Sequence, residues 1–304
     1  MAAPSPALVF NTAFKSRAGQ PVDMAPGLTR ITAPNSGPYT FTGTNSFLIG
    51  TERLVLVDPG PDDPRHIDAL RKAIGARRVE AIILTHTHRD HSAAAARMRI
   101  ELAAPLWFGG PHRLSRPLRR FEINPISRSC DWGLVPDRVL TDGEKFMAGG
   151  VPMEVIATPG HCANHLAFGM VGTPVLLTGD HIMGWNSTLV AVPDGSMAQY
   201  LASLDRVLAT DYAIFIPAHG GHIADGVTYT KALKAHRAMR SGQIITAITE
   251  GVHSVGAITT KLYPGVSRSI RAAAAMTVKA HLEYLEARGA LRIRRSLLGM
   301  WAEI

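Results

Sequence analysis

The sequence predicts an α/β protein in two parts: a sandwich of sheets with helices outside it, then a small helical domain ending in a hairpin. Three observations carry this reading. Short apolar strands alternate with helical stretches up to about residue 221; several strands run directly into a loop bearing His or Asp; and after Gly221 the pattern changes to three helices and a final alternating segment. At 304 residues the chain is about twice a common domain of ~150, which fits a large domain with a smaller one.

Residues 1–27, rich in Ala, Pro and Gly without periodicity, read as an irregular lead-in. Ser46–Gly50 and Arg53–Val57 flank a Gly50-Thr51-Glu52 turn and predict a hairpin that opens the sheet. Pro64–Ala73 begins a helix with Ile67, Leu70 and Ile74 at helical spacing. Val79–Leu84 is a buried strand that runs into a polar loop, and His91–Ala103 is helical. Between Phe108 and Leu140, Arg113, Arg116, Arg119, Arg120 and Arg128 are interspersed with Pro, and no element is assigned. Val151–Ala157, His165–Met170 and Val175–Thr178 read as strands, Met197–Leu208 as a helix and Ala213–Pro217 as a strand. Val227–Thr249, Val255–Tyr263 and Ile270–Ala287 are helices, and Ala290–Ile304 alternates like a hairpin. Three helices and a hairpin suggest a winged helix. The division expected is therefore lead-in 1–27, catalytic domain 28–225 and winged-helix-like domain 226–304.

Composition excludes several classes. With 46% hydrophobic and 18% charged residues the chain can bury a core and is not a disordered sequence. No run approaches the ~18 apolar residues needed to span a bilayer, and no basic segment precedes the short apolar stretch Ala7–Phe10, so neither a membrane span nor a secretory signal is expected. Two cysteines, Cys130 and Cys162, cannot build a disulfide framework, and a reducing, cytoplasmic setting fits. The net charge of +8 is uneven: residues 231–304 hold 12 Lys and Arg against four Asp and Glu, while the first 230 residues are balanced. Such a segment attracts polyanions, although a solvated helical face explains it equally well.

His86-Thr87-His88-Arg89-Asp90-His91 is the sharpest chemical signal. Two residues apart on an extended segment, His86 and His88 project to one side and can share an ion, while Asp90 and His91 fall where a helix begins and can turn to a second. Imidazole and carboxylate donors suit Zn²⁺ with a position left open for water. His161 in Thr158-Pro159-Gly160-His161, Asp180 in Thr178-Gly179-Asp180 and His219 in Pro217-Ala218-His219 each follow a strand. Together these supply five His and two Asp, an inventory for two neighbouring metals bridged by a carboxylate and a hydroxide.

On these residues, in this order, the sequence resembles a metallo-β-lactamase-fold hydrolase. The resemblance implies an αβ/βα sandwich with the metal site at one edge of the two sheets. It implies that the first metal takes His86, His88 and His161, that the second takes Asp90, His91 and His219, and that Asp180 bridges them. The ions implied are two Zn²⁺, with Mn²⁺ or Fe²⁺ as alternatives. Asp58 in Val57-Asp58-Pro59-Gly60 matches a strand-end aspartate that orients the ligand loop. Tyr39–Asn45, Tyr263-Pro264 and His281-Leu282 extend the likeness to lactamase-beta-2-like proteins with a winged-helix extension.

The catalytic assignments that follow are Asp90 and Asp180, which orient the hydroxide, and His165, placed to contact substrate or protonate a leaving group, with a supporting place at the strand start as its alternative. His181 reads as a wall of the site, His222 as a weaker rival to His219, and Cys162 as a small buried filler. The function expected is a dinuclear metal-dependent hydrolase. Its substrate is single-stranded RNA if the basic tail binds phosphates, or a small thioester, ester or lactone if the tail merely covers the site. A ligand-sensing DNA-binding regulator is the third reading, disfavoured because all seven ligand positions are filled and Ala272–Ala275 stand where base-reading side chains would be needed. No membrane partner is expected, and an oligomer is compatible with the sequence.

Overall fold

The computed structural model describes residues 7–296 and 299–304. The first six residues of the lead-in and the centre of the terminal hairpin lie outside the described residues. Seven strands form the first sheet in sequential order: β1 (Pro21–Ala25), β2 (Leu28–Thr32), β3 (Asn45–Ile49), β4 (Arg53–Val57), β5 (Arg78–Ile83), β6 (Leu106–Phe108) and β7 (Arg138–Val139). Helix α1 (Pro64–Ile74) joins β4 to β5; α2 (Arg89–Ser92) and α3 (Ala95–Leu102) join β5 to β6. The second sheet contains β8 (Lys145–Ala148), β9 (Val151–Ala157), β10 (Leu166–Met170), β11 (Val175–Gly179) and β12 (Ile214–Pro217), with α4 (Met197–Leu208) joining the last two.

Strand alternation builds the layers. Val55 and Val57 of β4, Ala81 and Ile83 of β5, and Phe168 and Leu177 of β10 and β11 meet in the core between the sheets. Their neighbours point the other way: Leu54, Leu56 and Ile82 pack beneath α1 and α3 with Ile67, Leu70 and Met98, while Ala167 and Leu176 pack against α4 residues Tyr200 and Leu204. A period of two along each central strand thus feeds two cores, as strands covered on both faces require. The layering is the αβ/βα sandwich.

Helices α5 (Gly226–Thr249), α6 (Val255–Leu262) and α7 (Arg268–Ala287) and the hairpin β13 (Arg292–Ser296) and β14 (Gly299–Glu303) follow. Ile244, Ile248, Ile258, Val278, Leu282 and Leu291 close a separate core, that of a winged helix. Ser254 and Ser267 cap α6 and α7 by accepting from the backbone N–H three residues on.

Two expectations are corrected. The sheet opens at Pro21, not at the Ser46–Val57 hairpin, because the five-residue β1 and β2 alternate too briefly to be recognised and turn at Gly27, φ 70°. The helix expected over 91–103 is broken, since the Ala94 N–H donates to the Gly60 carbonyl instead of back along a continuous helix. The lead-in, irregular up to β1, is strapped to the body: the Asn11 N–H donates to the Gly184 carbonyl and Phe10 meets His236 edge-on. Among the described residues no helix is long and apolar enough to cross a membrane.

Candidate metal centre

The loop after β5 is held from below. Asp58, at the end of β4 with φ 48°, accepts from the Thr85 N–H and the Thr85 hydroxyl at 2.7 Å each, and its Oδ2 also meets His91 Nδ1 at 2.9 Å. One buried carboxylate therefore fixes both ends of the His86–His91 string. At the β11 end, Gly179 adopts φ 52°, and a Cβ there would lie 2.6 Å from His165 Nε2. At the end of β9, Gly160 has φ 140° with its Cβ position 2.3 Å from the Tyr200 backbone, so only glycine lets the His161 turn close on α4.

Three imidazoles converge first. His88 Nδ1 lies 3.1 Å from His86 Nε2 and 2.8 Å from His161 Nε2. Each ring is oriented through its other nitrogen: the Thr85 hydroxyl meets His86 Nδ1 at 3.0 Å, Asp194 Oδ2 meets His88 Nε2 at 3.0 Å, and the Leu189 carbonyl accepts from His161 Nδ1 at 2.7 Å. A second group adjoins it. His219 Nε2 is 3.2 Å from Asp90 Oδ2 and 3.3 Å from Asp180 Oδ1, and His91 Nε2 is 3.3 and 3.6 Å from the same oxygens. Asp180 Oδ2, meanwhile, sits 3.6 Å from His161 Nε2, so the two oxygens of one carboxylate face the two groups. All seven residues singled out in the sequence are brought together.

The electrostatics are those of a cation site. Burial pushes His86 and His161 down, His161 to about 4, with neighbouring imidazoles adding to the effect. Burial also opposes charge on His219, but Asp180 and Asp90 outweigh it and hold the ring up at about 9. In turn His91 and His219 keep both carboxyls well below their ordinary range against the cost of burial. Two acids are thus kept ionised in the interior.

His165 is placed differently from the leaving-group acid expected. Its ring is buried, Nδ1 pairs with the Thr158 hydroxyl at 2.8 Å, and Nε2 accepts from the Asp180 N–H at 3.0 Å. Both nitrogens are engaged by the protein, and the alternative of a supporting place at the strand start matches these contacts. His181 is fully buried edge-on to Tyr200, 4.9 Å between ring centroids, rather than lining the site. His222 is exposed. Cys162 is fully buried with its thiol 3.3 Å from Asn164 Oδ1, and burial pushes its pKa up.

Asp194 was not visible in the sequence as a site residue. It lies in a turn far from any motif, yet it is fully buried and shared by His88 and His112, whose Nε2 is 2.7 Å from Oδ1. Asn45, within the Tyr39–Asn45 stretch, donates to the Pro217 and Gly220 carbonyls at 3.0 Å and so ties the His219 loop to β3.

Residues 39–219 match the family model described as the metallo-beta-lactamase superfamily. The chain belongs to this superfamily. Residues 254–301 match the beta-lactamase associated winged helix domain. Among curated proteins, the chain is 27% identical over 272 residues to a beta-lactamase-like protein 2 homolog of Caenorhabditis elegans, covering 88% of this chain and 86% of that one. It is 26% identical to an atrochrysone carboxyl ACP thioesterase of Aspergillus chevalieri, covering 75% and 65% of the two chains. The same fold is seen in a beta-lactamase domain protein from Burkholderia ambifaria, with TM-score 0.78, 22% identity and 94% of each chain covered. A metallo-beta-lactamase family protein from Thermus thermophilus gives TM-score 0.76 and 24% identity over 92% and 99% of the two chains.

As a member of this superfamily the chain is a hydrolase, and the fold together with the His/Asp cluster implies a divalent metal. The residues fit one. His91 Nε2 and Asp180 Oδ1 are buried, and their contacts at 3.3–3.6 Å lack hydrogen-bond alignment, an arrangement that costs ~1–3 kcal/mol per group unless something else binds them. The donor nitrogens of His86, His88 and His161 lie within 4.8 Å of one another, close enough to share one ion.

Proposed function

We propose that this superfamily hydrolase binds two divalent metal ions and cleaves small thioesters or esters. His86, His88 and His161 would hold one ion, Asp90, His91 and His219 the other, and Asp180 would reach both. Bound metal supplies a water of lowered pKa as nucleophile and polarises the attacked carbonyl. Zinc is the first choice for these His-rich groups.

The chain's own residues do the positioning. Asp58 orients His91, Asp194 orients His88, and the Leu189 carbonyl orients His161. His165 holds Asp180 by accepting its N–H, while the Thr188 hydroxyl donates to the Asp180 carbonyl at 2.7 Å. Asp180 and Asp90, kept anionic by their surroundings, orient the attacking water. His165 is assigned a positioning role.

The observation that carries the substrate reading is a cleft lined by Leu189, the residue whose carbonyl accepts from His161 Nδ1. It is walled by Met183, Trp185 and Leu189 on one side and by Ile270, Ala273 and Ala274 of α7 on the other. Thus α7 of the winged helix supplies an apolar wall, suited to an acyl chain, to a cleft that also holds Arg237, Asn186 and Ser187, and two of the wing arginines are already paired, Arg294 with Glu303 and Arg295 with Glu286. The thioesterase name of one relative supports the same class. Metal-loaded protein assayed in parallel on an S-acyl pantetheine, an acyl lactone and single-stranded RNA tests it: thioester turnover well above the other two is expected. RNA cleavage with no thioester turnover would reverse the reading.

A further inference from the structure

Two features of the sequence have no part in the hydrolytic site: the arginine-rich stretch 113–128 and the basic tail. They meet in one groove of about 740 Å³, lined by Arg119, Arg120, Phe121, Lys279, Arg295 and Met300. The stretch leaves the metal site at His112, whose Nδ1 pairs with the Thr87 hydroxyl, and returns at Cys130, whose thiol lies 3.7 Å from Asp194. Its tip is clamped to the winged helix, because Glu283 of α7 accepts from both Arg116 and Arg119.

Charge in this groove is not balanced. In the groove and directly beside it, Arg116, Arg119, Arg120, Lys279 and Arg295 are set against Glu122, Glu283 and Glu286, which leaves two positive charges without a counter-charge among the described residues. Arg120 covers part of the Phe121 ring at 4.8 Å, and Phe121 is nevertheless 71% exposed, at φ 64°. An open aromatic face beside uncompensated cations selects a ligand with a planar ring and phosphate groups. The volume suits a molecule of nucleotide size. Helix α7 separates the groove from the acyl cleft: Lys279 lines the groove, while Ile270, Ala273 and Ala274 line the cleft.

We propose that this groove binds the phosphorylated nucleotide end of an acyl thioester, so that the enzyme acts on coenzyme-A-type substrates. The inference rests on the thioester reading above and names its substrate class. Phe121 stacks on the base, and Arg120 and Lys279 meet the phosphates.

Calorimetric titration of the full-length, metal-loaded protein with coenzyme A, 3′,5′-ADP and pantetheine tests it. Coenzyme A and 3′,5′-ADP should bind comparably, and pantetheine at least ten-fold more weakly. Phe121→Ala and, separately, Lys279→Glu should each weaken 3′,5′-ADP ten-fold or more and lower the ratio of kcat/KM for acyl-coenzyme A to that for S-acyl pantetheine by a similar factor. Equal binding of 3′,5′-ADP by wild type and both variants, or none by any of them, would overturn the groove assignment even if acyl pantetheine is hydrolysed. Nucleotide binding that both variants weaken, with no thioester hydrolysed, would uphold the groove and sink the thioester reading instead. A single-stranded oligoribonucleotide that binds more tightly than coenzyme A and is weakened by the same substitutions would overturn the proposal in favour of nucleic acid.

Discussion

Asp194 Oδ2 stands 3.0 Å from His88 Nε2, so the imidazole whose Nδ1 faces His86 and His161 is oriented by a carboxylate 106 residues further along the chain. The other oxygen of Asp194 holds His112, and both bonds keep Asp194 ionised despite its burial. Removing this acid should loosen the ring without removing any ligand. Asp194→Asn is expected to weaken metal binding by ~10–100-fold, as loss of a ligand's hydrogen-bond partner commonly does. Chelator competition on the purified variant measures this; wild-type affinity would remove Asp194 from the site.

Asp180 faces both groups of donors, whereas the Asp58 carboxylate meets His91 and Thr85. Asp180→Ala should therefore lose more metal, by elemental analysis, than Asp58→Asn. His219→Ala should lose about one equivalent, and exposed His222→Ala none. Metal retained in full by Asp180→Ala would refute the shared-carboxylate arrangement.

Gly160 is the test of packing. A methyl group there would sit 2.3 Å from the Tyr200 Cα at φ 140°, against backbone that cannot swing aside. Gly160→Ala should destabilise the protein by ~3 kcal/mol or more through overpacking and backbone strain. Denaturant unfolding of the metal-free protein reads this apart from any effect on ligands.

The Arg116 clamp supplies a pH-dependent term. Burial opposes ionisation of Glu122, but the Arg116 guanidinium outweighs it and holds the carboxyl at about 2 instead of 4.5. A depressed folded-state value contributes stability that is present above pH 4.5 and lost as pH falls through about 2. Glu122→Gln should thus melt below wild type at neutral pH, with the gap narrowing between pH 4.5 and 2. A gap independent of pH would show that the ion pair contributes nothing.

Much of the site was legible because its chemistry is local. His86, His88, Asp90 and His91 lie within six residues, and two periodicities, of strand and then helix, dictate which way they project. His161, Asp180 and His219 could be picked out because each follows an apolar strand. Asp194, His112 and the Glu283 clamp could not. They are single polar residues in irregular or helical segments, and a lone Asp in a turn carries the same local pattern whether it meets solvent or a buried imidazole. His165 shows the same limit: its spacing from His161 was visible, but the orientation of its ring was not.

What the sequence determined by itself is the alternation that makes strands bury both faces, the glycines that allow the ligand turns, and the donor types of the metal groups. These are set by backbone sterics and side-chain chemistry within a few residues. Tertiary structure alone decided which carboxylate backs which histidine, that α7 lines one cleft with Met183 and Leu189, and that the arginine-rich stretch and the basic tail share one groove. Those relationships join residues tens to hundreds of positions apart, and they exist only once two sheets and a winged helix have packed, because hydrogen bonds and ion pairs depend on distances that no local spacing sets.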